Sequence, residues 1–148
     1  MTDETILPGS SMCGVSLGDS KPDVLRVLGA PNASQIKESH QFLEYEDLTV
    51  VLLDDSVFML IAESPACGRT PEGIKVGAPW RQLVESLGDV EYDEEEGLWA
   101  SASHPGVWYE VVRPAHSYEQ PLDPPYVPEL YSVGDDRVAH VRRVYVMR

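Results

Sequence analysis

Basic residues are scarce in this chain. Eleven Lys and Arg face twenty-five Asp and Glu, a formal net charge of −14. Binding to nucleic acid needs cations that displace counterions from phosphate, so no nucleic-acid partner is expected. An anionic membrane surface is repelled on the same grounds. Long hydrophobic runs are missing too. No stretch approaches the roughly 18 apolar residues of a membrane span, so no such helix is expected. The opening residues are acidic and polar, without the basic start and apolar stretch of a signal peptide, and a cytoplasmic location is expected. Cysteine occurs twice, at Cys13 and Cys67, too few for a disulfide framework or a structural zinc site. The pairing of these two cannot be read from sequence, and in a cytoplasmic setting both are expected to be reduced.

The familiar signatures of catalysis are also absent. There is no G-x-S-x-G nucleophile elbow, no phosphate-cradling G-x-x-x-x-G-K, no G-x-G-x-x-G and no C-x-x-C. Four histidines, His40, His104, His116 and His140, stand apart from one another in sequence. An acid–base or metal role would rest on His104 and His116 meeting between two loops. The contiguous run Glu94-Glu95-Glu96 lacks the alternating oxygen ligands of a calcium loop. No catalysis, no metal and no cofactor are therefore expected.

What the chain does contain is a phrase written twice. "GVSLGDSKPDVLRVLG" at 14–29 returns as "GIKVGAPWRQLVESLG" at 73–88. Gly14, Gly18, Leu28 and Gly29 align with Gly73, Gly77, Leu87 and Gly88, and four further positions match as apolar residues. Each copy reads as a short extended entry, a break at glycine, a short amphipathic helix and a glycine stop. Asp19 or Ser20 is suited to cap the first helix, and Pro79 fits the first turn of the second. β-like sequence follows both copies, with Asp54-Asp55-Ser56 placed as a hairpin turn.

These signals predict an α+β protein of two tandem repeats, each a short helix followed by an antiparallel β-meander, packed as one compact domain. Residues 1–13 are expected to be a flexible N-terminal segment, 14–72 the first repeat and 73–148 the second. The Pro-rich stretch 113–131 is expected to be a loop insertion, because its five prolines remove backbone donors.

The stretch "LGDSKPDVLRVLGAP" at 17–31 resembles a motif of the BamE/SmpA-like group, in which a Gly and a small polar residue open a helix that ends in Leu-Gly-x-Pro. A tandem pair of such units is also similar to the β-lactamase inhibitor protein family. The resemblance implies a helix packed on antiparallel sheet and a leaning toward protein binding. It covers about 15 residues of each copy and carries over no functional residue, because fold does not dictate function.

Function is expected where the two copies differ. Nine of the twelve aromatic residues lie from Gly73 onward. Trp80 replaces Lys21 of the first copy, and the acidic run Glu91–Glu96 precedes Trp99. Tyr and Trp supply large contact area at low entropic cost. Trp80, Tyr92, Asp93, Glu94, Glu95, Glu96, Trp99, Tyr118 and Tyr126 are therefore the candidate partner-binding residues. The expected function is a small acidic protein-binding module, such as an immunity or inhibitor protein that neutralises a basic toxin or enzyme. The alternative is an oligomeric structural or regulatory domain that binds a small ligand between its two halves.

Overall fold

Apolar residues concentrate in short strands, and that balance decides the architecture. The structure, a computed structural model, describes residues 5–115, 118–121 and 139–147. In chain order the elements are β1 (Ser11–Met12), β2 (Val15–Ser16), α1 (Lys21–Leu28), β3 (Ala33–Lys37), β4 (His40–Glu44), β5 (Leu48–Leu53) and β6 (Ser56–Ala62). A 3-10 turn at Pro65–Cys67 follows, then α2 (Trp80–Leu87), β7 (Val90–Asp93), β8 (Leu98–Ser101), β9 (His104–Ala115), β10 (Tyr118–Pro121) and β11 (His140–Met147). β1 and β2 form a separate hairpin. The other nine strands make one antiparallel sheet in the order β3-β4-β5-β6-β11-β9-β8-β7, with β10 added on β9.

This corrects the expected α+β fold of two helix-plus-meander repeats. The described residues are mostly β, 49% strand against 16% helix. Both copies of the repeated phrase do form helices, but each is only eight residues long. A helix of two turns cannot cover a sheet. α1 buries only Val24, and Leu25 beside it is exposed. The strands carry most of the burial, and the seam between the halves is itself a strand pair. β11 lies between β6 and β9, with Val144 opposite Ala62 on one side and Tyr109 on the other. The sheet therefore runs unbroken through the middle of the molecule.

Local chemistry sets the ends of the elements. Ser20 caps α1 by accepting from Asp23 N at 3.3 Å, while the Asp23 carboxylate accepts from Ser20 N at 3.4 Å. α2 has no side-chain cap. Its first N–H, on Trp80, donates instead to Ala139 O at 3.0 Å, so the lead-in to β11 satisfies that orphan donor. Asp54 and Asp55 both take positive φ and join Leu53 to Ser56 in a two-residue turn, the handedness that matches strand twist.

Two further stretches are described in part. The segment 1–13 is anchored wherever it is described. Ile6 is fully buried, its N–H donates to Arg69 O at 2.7 Å, and Met12 lies in the core. Apolar side chains at these two positions give the segment a reason to pack. The Pro-rich stretch is not loop throughout, because 113–115 extend β9 and Tyr118–Pro121 pair back on it as β10. Proline is tolerated there because a strand edge leaves alternate N–H groups unused. Residues 122–131 lie outside the described residues.

Candidate functional site

The charge on the second half has one sign. Between Arg81 and Arg113 there is no Lys or Arg, and eight carboxylates stand in that interval. Glu85 pairs with Arg81 at 2.8 Å, and Glu110 with Arg143 at 2.7 Å. That leaves Asp89, Glu91, Asp93, Glu94, Glu95 and Glu96 with no ion pair among the described residues. All six lie on or beside β7, the last strand of the sheet. Among the described residues β7 pairs with β8 alone, so it is an edge strand of the sheet they form.

The β7–β8 turn aims the acidic run outward. Asp93 Oδ1 accepts from the N–H groups of Glu95 at 2.9 Å and Glu96 at 3.1 Å, and Gly97 N closes the turn on Asp93 O at 2.8 Å. Asp93 thus builds the loop with its carboxylate, as Asp does in such turns. Glu94, Glu95 and Glu96 are exposed and carry the field.

The aromatic candidates divide. Trp99 on β8 packs edge-on against Trp80 of α2 at 4.8 Å between centroids, and against Tyr92 of β7 at 5.1 Å. Trp80 is 7% exposed and Trp99 8%. Both side chains, expected as partner contacts, lie inside the packing of α2 on the sheet. Their rings anchor α2 to the edge of the sheet, because large apolar surfaces gain most when removed from water. Tyr92 is half-buried against the same cluster. Tyr118 falls on β10, where only the backbone is described, and Tyr126 lies outside the described residues.

Beside this edge is a polar clasp that sequence reading missed. Asp89 accepts from the Ser101 hydroxyl, from Ser103 Oγ at 2.8 Å and from Ser103 N at 3.1 Å. The Ser101 and Ser103 donors hold the Asp89 carboxyl below the usual carboxylate range. Ser101 Oγ also lies 3.1 Å from His104 Nδ1, and His104 Nε2 is 4.0 Å from Glu72 Oε2.

A Ser–His–acid set invites a nucleophilic reading, but the hydrogen bonds run the wrong way. The Ser101 proton points to Asp89, so His104 Nδ1 must be the donor to Ser101 Oγ. A serine nucleophile needs the opposite polarity, with histidine accepting its proton. Ser101 is also only 3% exposed. The set ties the β8–β9 turn to the end of α2. No sequence signal exposes it, since Asp89 and the two serines meet only across the hairpin. His116 lies outside the described residues.

Among the described residues no three His, Cys, Asp or Glu side chains form a metal-holding group, and no helix is long and apolar enough to cross a membrane. Two open depressions among the described residues, of about 340 and 230 Å³, are lined by residues of the first half. No family model, curated protein or solved structure matches this chain.

Proposed function

We propose that the protein is a non-catalytic cytoplasmic binding module whose β7 edge docks a protein with a basic surface. An immunity or inhibitor protein that neutralises a basic toxin or enzyme is the role this reading favours. The observation that carries it is the six carboxylates, without ion-pair partners among the described residues, gathered on and beside one edge strand. Charge of one sign on an edge strand deters pairing with a like copy and steers a basic partner inward. The buried Trp80–Trp99 pair supports this reading by making that edge a rigid platform.

The test reverses Glu94, Glu95 and Glu96 to Lys and leaves Asp93 to hold the turn. Immobilised parent and variant are compared for capture from lysate at low and high salt. The parent retains a basic protein whose binding falls with salt. The variant loses it, with a flatter salt dependence, because fewer ion pairs form. Equal capture by both removes the acidic edge as the docking surface.

A second reading, an oligomeric domain, draws on the opposite edge. All five residues of β3 are exposed and Ile36 is 72% exposed. Pairing of that strand between copies would appear as a concentration-dependent dimer in sedimentation, lost on replacing Ile36 by Lys. A monomer at every concentration excludes it.

A further inference from the structure

The two end strands of the sheet are defended differently. β7 carries carboxylates, whereas β3, "ASQIK" at 33–37, holds Lys37 as its one charged residue. All five residues of β3 are exposed, and among the described residues the strand pairs with β4 alone. Lys37 and His40 flank the two-residue turn at Glu38-Ser39, where Glu38 takes a φ of 57°. Such a turn closes on a hydrogen-bonded pair, so alternation directs the N–H and C=O of Ser34 and Ile36 away from β4. Those groups are an open template for one more strand.

The surface beside that edge is shaped and charged. Ile36 stands opposite Gln41, and Gln41 opposite Leu52, in one row across three strands. With Glu38, Asp54 and Asp55 they line the depression of about 230 Å³. Leu52 is 2% exposed and Ile36 72%, so apolar surface runs from inside the depression out to the strand edge. Glu38, Asp54 and Asp55 are exposed and have no ion pair among the described residues. Lys37 does not neutralise them. Alternation puts it on the other face, where its Nζ lies 5.9 Å from the centre of the Phe42 ring. Apolar lining with negative charge around it complements a Lys or Arg side chain, which is an aliphatic stem ending in a cation.

We propose that β3 receives an extended peptide segment bearing Lys or Arg, added as a further strand at this edge. Main-chain hydrogen bonds to Ser34 and Ile36 hold the segment, and the residue opposite Ile36 projects onto the face of the depression. Its stem covers Ile36, and its cation enters the field of Glu38, Asp54 and Asp55. The site lies beyond the β7 surface and shares no residue with it. A second copy is the weaker occupant of the same edge. Two β3 strands paired antiparallel about Gln35 set Ser34 opposite Ile36 and send Lys37 to the far face, so both acidic depressions stay unfilled.

The test titrates the full chain with the capped peptide Thr-Val-Thr-Lys-Thr-Val-Thr, or with its twin carrying Glu for Lys, and follows amide NMR shifts. The Lys peptide is expected to move the amides of Ser34 and Ile36 together with those of Asp54 and Asp55. The Glu twin should bind about tenfold more weakly, because its charge meets like charge. Ile36→Pro removes an outward N–H without touching the β4 ladder and should abolish the shifts. Asp54→Asn with Asp55→Asn keeps residues that tolerate positive φ and should flatten the salt dependence of binding. A chain with Glu94→Lys, Glu95→Lys and Glu96→Lys should still take the Lys peptide at β3, so failure of the β7 reading leaves this result standing. No shift at millimolar peptide, equal binding by the twins, shifts confined to β7, or β3 shifts that grow with protein concentration alone overturn the proposal. The native-chain titration decides the matter even where a variant fails to fold.

Discussion

Replacing Gly106 by Ala strikes the point where the N-terminal segment is clamped to the sheet. Gly9 N donates to Gly106 O at 2.8 Å, so the two backbones touch with no side chain between them. A Cβ at Gly106 would lie 2.4 Å from Gly9 N and 2.8 Å from both Gly9 Cα and Pro8 C. These are backbone atoms and cannot swing aside. The φ of +93° adds strain for any L side chain, on the order of 1–3 kcal/mol. Losing the Gly9–Gly106 hydrogen bond adds about 1 kcal/mol. The substitution is expected to cost roughly 3 kcal/mol, the sum of these two effects. Gly9→Ala is the internal control. Its Cβ would meet Gly106 Cα at an ordinary 3.6 Å, so only left-handed strain of about 1–2 kcal/mol remains. Urea unfolding of both variants gives the difference, and amide exchange at Ile6 and Leu7 shows whether the segment has lifted. Equal costs for the two, or unchanged protection at Ile6 in Gly106→Ala, would refute the clamp.

Trp99→Ala should cost about 3–5 kcal/mol, because it removes the ring that joins Trp80 to Tyr92 and leaves a cavity under α2. Denaturant titration checks this, and a loss below about 1 kcal/mol would mean the cluster is not the anchor of that edge. Asp89 links the clasp to pH. Its folded pKa is depressed by Ser101 and Ser103, so its contribution is present above the unfolded value near 3.9 and lost as pH falls through the lower folded value. Thermal melts of Asp89→Asn against the parent, from neutral to strongly acidic pH, should therefore differ most at neutrality and converge in acid. Parallel curves would show that the carboxylate holds nothing.

Several local features were legible because they depend on neighbours in sequence. Ser20 with Asp23, the glycine stops at Gly29 and Gly88, and the Asp54-Asp55 turn are decided within a few residues by backbone sterics and short hydrogen bonds. Strand alternation sets neighbours on opposite faces, but which of Trp108 and Tyr109 enters the core was settled by the sheet, which buries Tyr109 fully and Trp108 only in part. The partner surface was less legible. The acidic run stood out as charge, but Trp80 and Trp99 look in sequence like any contact aromatics. Their burial depends on α2 crossing β7 and β8. The burial of Ile6 and Met12 has a similar origin, since a short apolar pair in a polar segment packs only where the rest of the fold leaves a gap for it.

By itself the sequence determined the net charge, the sites of both helices and the tight turns, since these follow from composition and from forces acting within a few residues. Strand order, the insertion of β11 between β6 and β9 and the clasp around Asp89 were decided only by tertiary structure. Each joins segments far apart in sequence, and such contacts form only when loop closure is offset by burial of the whole sheet at once.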